Sequence, residues 1–254
     1  VPLLPWALPA GTATAQPGAG GADAVVFDMK ADDGTLAYVS NLEEAMDAGA
    51  SASDPGLNDA IRTLTAGDLH VVARVSCFRD NTVPYYNNRT ALRTAIGNWR
   101  DAGNYRWLSP GRAAARSYVA GVCRELASLG FDELLLDHPA FPTQADGTLT
   151  NLTVGEAYPA DDLAGQVELF YSEVRSALAD YPATMLSIVS TPEVLAGTDN
   201  QSGQTAAQLA EYADRIWVQA DEAQAASGPA ALTAAGMKDA GDRMVRITDA
   251  LPAR

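Results

Sequence analysis

Histidine and cysteine are almost absent. The 254-residue chain has two of each, and their positions exclude most metal and nucleophile chemistry. His70 and His138 lie far apart and, with Cys77 and Cys123, make no zinc-ligand spacing, so neither a metal nor another cofactor is expected. The two cysteines read as buried free thiols; a disulfide stays open, because pairing depends on geometry that spacing does not supply. There is no Gly-x-Ser-x-Gly turn, which removes the nucleophile elbow of an α/β hydrolase. Asp32-Asp33-Gly34 lacks the alternating acidic ligands of a calcium loop. Pro17-Gly18-Ala19-Gly20-Gly21 precedes its strand instead of following it, so it reads as a loop and not as a phosphate cradle.

Positive charge is scarce too. Seventeen Lys+Arg against 32 Asp+Glu leave a formal charge of −15, which disfavours nucleic acid and anionic membrane as partners. No apolar run approaches the roughly 18 residues of a membrane-spanning helix. The opening Val-Pro-Leu-Leu-Pro-Trp has no basic region and is broken by Pro2, Pro5 and Pro9, so it does not read as an intact signal peptide. No linker, low-complexity stretch or repeat interrupts the chain, so residues 1–254 are expected to form one domain. Nothing in the pattern speaks to oligomeric state.

What is present is alternation. Short apolar or β-branched runs occur at 24–28, 70–78, 133–137, 185–190, 215–220 and 243–248, with Val1–Trp6 as a further possible strand. Near-continuous apolar runs suit strands buried on both faces of a parallel sheet. Between them fall helical signals. Asp54-Pro55 leads into Leu57, Ile61 and Leu64, and Ser109-Pro110 leads to a stripe through Val119, Val122, Leu126 and Leu129 that stops at Gly130. The clearest stripe is Leu163, Val167, Phe170, Val174 and Leu178. Weaker helices are expected at 205–213 and 229–241. The chain therefore reads as an α/β protein with a (β/α)8 barrel of TIM type, in which an eighth strand is missing from the count.

Barrels place their active sites at the C-terminal strand ends, and here several runs end on carboxylates or amides. Asp28 closes the first, Asp137 the third, and Gln219 with Asp221 the fifth. Two converging carboxyl groups are what glycosidic hydrolysis needs, one to protonate the leaving oxygen and one to attack or activate water. The blander readings are a loop cap for Asp137 and an ion pair with Lys30 for Asp28. A long loop at about 79–108 follows the second run and is aromatic-rich, with Tyr85, Tyr86, Trp99, Tyr105 and Trp107. Aromatic faces stack on sugar rings, so Trp99 or Trp107 is expected to line a groove at the barrel mouth. The alternative is that the insertion packs on itself.

The stretches VVFDMKADDG (25–34), VVARVSCFRD (71–80), GNWRD (97–101), WLSPG (107–111) and GFDELLLDHPAFP (130–142) resemble a bacterial family described as putative glycosyl hydrolases, long known only as a domain of unknown function. The likeness is good over about 24–142 and weak beyond. It implies a (β/α)8 barrel, a carbohydrate substrate, and an exported or cell-surface protein. By resemblance, Asp28, Lys30, Arg74, Asp80 and Asp137 stand where the family carries polar residues at the barrel top. Two departures stand out. Ala140 replaces the Arg of the family's Asp-Tyr-x-Arg-Phe-Pro block, and the run Met185–Ser190 lacks the family's acidic residue, the nearest carboxylate being Glu193.

The reading is a glycoside hydrolase with Asp137 as nucleophile or base, and Glu193, Asp221 or Asp28 as its partner. Lys30, Arg74, Asp80, Trp99, Trp107, His138 and Gln219 are the expected substrate-binding residues. The rivals are a carbohydrate-binding barrel that has lost its chemistry and a hydrolase of amino-sugar polymers.

Overall fold

The computed structural model describes residues 24–247. Six strands, β1 (Ala24–Lys30), β2 (His70–Ser76), β3 (Glu133–Asp137), β4 (Met185–Ser190), β5 (Arg215–Gln219) and β6 (Met244–Ile247), form one parallel sheet in chain order. Every neighbouring pair is parallel, which crossover connections through helices make possible. The sheet is a curled part of a barrel, and its strands follow the expected runs. Val1–Trp6 lies outside the described residues.

Side chains alternate across each strand, and the two faces differ. The outer residues Val71, Ala73, Val75, Leu134, Leu136, Ile188, Ile216 and Val218 join one large buried cluster with the helices. Those helices are α1 (Leu57–Thr65), α2 (Ala113–Ser128), α3 (Leu163–Ala177), α4 (Ala206–Tyr212) and α5 (Glu222–Ala234). α3 presents Val167, Phe170 and Val174 inward, as its stripe predicts. α4 is opened by a capping box between Thr205 and Gln208. α5 corrects the sequence expectation: it begins after Asp221, seven residues before Pro229, which sits inside the helix instead of opening it. The cap made by Asp221, whose side chain accepts from the Gln224 N–H at 2.8 Å, sets that start.

The inner face is layered. At its floor Glu133, fully buried, accepts from Arg215 Nη1 at 2.6 Å and Trp217 Nε1 at 3.2 Å. His70 Nε2 lies 2.7 Å from the same carboxyl, and the Ser187 hydroxyl donates to it. Above the floor Val72, Leu135 and Trp217 form a small apolar layer. Above that layer come Asp28, Arg74 and Asp137, at the C-terminal rim. Register aligns Asp28 with Arg74, while Asp137 lies level with Ser76, two residues further toward the rim, so the long Arg74 side chain reaches up to meet it.

One turn fixes the rim. Gly34 has φ +90°, and a Cβ there would fall 2.1 Å from Asp80 Oδ1. Asp80 is fully buried and its Oδ2 lies 2.7 Å from Lys30 Nζ. Gly34→Ala is therefore expected to cost about 1–3 kcal/mol through forced displacement of the buried pair, read as a lower denaturation midpoint in urea with unchanged slope.

Candidate active site

Arg74 gathers three carboxylates from two strands and a loop. Its Nη1 donates to Asp28 at 2.8 Å, its Nη2 to Asp32 at 2.6 Å, and its Nε to Asp137 at 2.9 Å. Arg79, at the foot of the insertion, extends the network: Nη1 donates to Asp32 at 2.6 Å and Nε to Asp101 at 2.7 Å. Four carboxylates thus face two guanidiniums. The groups are partly open to solvent, with side-chain exposures of 22% for Asp28, 19% for Asp137 and 12% for Arg74, so a ligand can reach them.

The local backbone explains Asp137. His138 adopts φ +46°, rare for a residue with a side chain. That turn lets the His138 N–H donate back to Asp137 Oδ1 at 2.8 Å. The same conformation brings His138 Nδ1 to 3.6 Å from Asp137 Oδ1 and 3.9 Å from Asp32 Oδ1. Nδ1 is buried and makes no hydrogen bond within the described residues, while the ring stands edge-on to Trp107 at 5.5 Å. Backbone strain and an unsatisfied ring nitrogen coincide at functional sites.

The carboxylates are driven apart in acidity. Burial raises the pKa of Asp28, and the neighbouring Asp32 and Asp137 push the same way, so that Arg74 offsets the rise only in part. Burial also acts on Asp137, but His138, Arg74 and the backbone N–H together outweigh it and hold that pKa below the ordinary range. Asp32, despite burial, is pulled down to about 2 by Arg74, His138 and Arg79. A carboxylate with a depressed folded pKa lends stability above its unfolded value and loses it as pH falls toward the folded one. Asp32 should therefore supply at most about 2 kcal/mol near neutrality, lost between its ordinary pKa of 3.8 and about 2. Asp32→Asn should flatten that acid limb of a stability–pH curve; an unchanged limb would show that Asp32 gains nothing from its guanidinium partners.

Several expected site residues lie elsewhere. Lys30 is fully buried: its Nζ donates to Ser76 O at 2.7 Å and pairs with Asp80. A register shift between Asp28 and Lys30 turns Lys30 away from the rim, so the pair anchors the insertion and is closed to substrate. Trp99 and Trp107 are each 2% exposed. Their indole N–H groups donate to Thr148 O at 3.0 Å and Asp101 Oδ2 at 3.1 Å, and the rings meet at 6.0 Å. The tryptophan platform is thus corrected: both rings are the insertion's own core. Glu193 sits exposed in the first turn of a short helix beyond β4, and Asp221 is the cap of α5; neither joins the Arg74 cluster. Gln219 ends β5 and is exposed. Asp32, Arg79 and Asp101 were not foreseen. Only the position of Asp32, in the loop after a strand ending on Asp28, offered a signal.

Two clefts of about 390 and 330 Å³ lie away from this rim, one against Arg175, Tyr181, Asp214 and Arg243, the other between α2 and α3. They lack the converging carboxylates of the rim. Among the described residues no helix is long and apolar enough to cross a membrane.

Similar proteins share this fold. The PgaB (BpsB) glycoside hydrolase domain of Bordetella bronchiseptica superposes with a TM-score of 0.58 at 18% identity, over 87% of this chain and 72% of its own. A hypothetical protein from Ruminiclostridium thermocellum ATCC 27405 is 26% identical with a TM-score of 0.54, over 66% of this chain and 83% of that one. No curated protein matches. The family model described as "putative glycosyl hydrolase domain" matches residues 18–218, most of the chain and all of the Arg74 cluster, and the protein belongs to that family.

Proposed function

We propose that the protein hydrolyses glycosidic bonds at the Arg74 cluster, with Asp28 as the acid and Asp137 as the nucleophile or base. The observation that carries this is the convergence of Asp28 and Asp137 on one guanidinium at the partly exposed rim. Burial raises the pKa of Asp28, while His138 and Arg74 outweigh burial and lower that of Asp137, an asymmetry suited to an acid and a base in one site. In the reaction the Asp28 proton passes to the leaving glycosidic oxygen as its bond to the anomeric carbon breaks. Asp137 either bonds to that carbon, with water completing a second displacement, or takes the proton of a water that attacks directly. The excess of carboxylates over guanidiniums gives the rim a net negative charge, which favours the positive charge developing on the sugar. His138 holds the Asp137 carboxyl through its backbone N–H, which donates to Oδ1 at 2.8 Å. Of the three partners expected for Asp137, this assignment takes Asp28 and sets aside Glu193 and Asp221.

The test is a panel of neutral, acidic and amino-sugar oligosaccharides incubated with the protein, with reducing ends quantified and the anomer of the first product followed by NMR. Cleavage of any member is expected, with a single anomeric outcome. Binding without cleavage across the panel would make the protein a carbohydrate-binding barrel instead.

A further inference from the structure

In an acidic protein, one surface is basic. Residues 79–112 hold six of the chain's 17 Lys+Arg and only two of its 32 Asp+Glu. Those two acids do not reach the surface: Asp80 is paired with Lys30 and Asp101 with Arg79, and both are buried. Among the described residues no carboxylate pairs with Arg89, Arg93, Arg100 or Arg106. Arg100 and Arg106 face each other across an antiparallel bridge. Burial and the neighbouring Arg100 both push the Arg106 pKa down, the signature of like charges left uncompensated.

The same surface carries the open aromatics that the tryptophans do not supply. Tyr85 is 69% and Tyr86 58% exposed. The Arg106 guanidinium lies 4.6 Å from the Tyr85 ring centroid, and its Nη1 donates to Asn81 Oδ1 at 2.7 Å, so one face of Tyr85 is backed by a cation and held. This surface adjoins the rim. The Asn81 N–H donates to Asp33 O at 3.1 Å, beside Asp32, and Arg79 spans from Asp32 to the Tyr105 ring at 4.3 Å.

We propose that Tyr85 and Tyr86, flanked by Arg100 and Arg106, form a binding extension of the mouth for an acidic glycan, one whose sugars carry carboxylate or sulfate groups. The tyrosine faces accept pyranose rings while the arginines pair with the anionic substituents. A neutral glycan would gain hydrogen bonds but no charge pairing from two adjacent uncompensated cations. A deacetylated amino-sugar polymer, itself cationic, would be repelled by them. An anionic glycan meets a long-range field set against it by the net charge of −15, and a local cationic strip is what would overcome that field.

The inference rests on the mouth being a glycan site, and calorimetry on the full chain separates the two ideas. The probes are oligogalacturonate, its methyl ester, a sulfated galactan oligomer with its desulfated form, and a glucosamine oligomer. At least one acidic probe is expected to bind about tenfold or more tighter than its neutral counterpart, with the advantage shrinking as salt rises. The Arg100→Ala/Arg106→Ala double variant should erase the ratio, and Tyr85→Ala should weaken acidic and neutral probes together. Arg62→Ala, on α1 and paired with Asp59, should leave the ratio as it was. Circular dichroism confirms that each variant is folded. If neutral or amino-sugar probes bind as well as both acidic ones and cleavage is still seen, the acidic preference is refuted and the hydrolase reading stands. If no probe binds and none is cleaved, the hydrolase reading falls and the acidic preference falls with it.

Discussion

Replacing Asp137 by Asn is expected to lower glycan cleavage by about 10²–10⁴-fold, with the protein still folded. The amide removes the ionised oxygen that attacks or deprotonates, yet it keeps the shape of the carboxyl and an acceptor for the His138 N–H, which reaches Oδ1 at 2.8 Å. Arg74 keeps its contacts with Asp28 and with the ionised Asp32. Losing one charge-assisted bond should cost about 1–2 kcal/mol. In a chain of this size that lowers the thermal midpoint by only a few degrees, at about 2–4 °C per kcal/mol. The measurements are initial rates on the best substrate of the panel and a melting curve. Retained cleavage would remove Asp137 from the chemistry. Loss of the folded state would assign Asp137 to structure, in which case Asp28→Asn becomes the variant that decides whether the rim is catalytic.

The largest loss of stability is expected at the other end of the inner face. Glu133→Ala should cost about 3 kcal/mol or more. The buried carboxyl is shared by Arg215, Trp217, Ser187 and His70, and its removal strands the Trp217 N–H and the Ser187 hydroxyl without an acceptor. Arg215 is 35% exposed and can turn to water, which keeps the cost at the lower end of what a broken buried pair commands. Glu133→Gln retains an acceptor and should lose roughly half as much, since neutral bonds are about half as strong. Urea denaturation of both variants gives the comparison. A cost below about 1 kcal/mol for the alanine would mean that the floor contributes little to stability.

Much of this architecture could be read before any coordinates. Strand runs such as ELLLD and MLSIVS match their observed bounds because continuous apolar runs are unambiguous when both faces are covered. Asp28 and Asp137 were legible because the end of such a run is also the rim. The start of α5 is not legible from Pro229, because a capping box at Asp221 has already begun the helix seven residues earlier. The burial of Lys30 is not legible because a register shift between Asp28 and Lys30 breaks the alternation, and sequence does not announce it. Trp99 and Trp107 were misplaced because aromatic density marks a core and a platform equally well. The carbonyl and carboxylate that accept their N–H bonds decide between the two, and these lie up to 49 residues away. Asp32 and Arg79 escaped notice because their meeting is tertiary.

The position of Arg74 has a consequence for kinetics. Because one guanidinium binds Asp28, Asp32 and Asp137 at once, protonating any one of them frees hydrogen-bonding capacity for the other two. The three lose their protons as a linked set, with apparent constants that belong to the set. The acid limb of a rate–pH profile should accordingly move when Asp32 is made Asn, although Asp32 transfers no proton in the reaction. Arg74 thus acts as a proton ledger for the whole rim, and on the proposed mechanism substitutions around it would tune the working pH without touching Asp28 or Asp137.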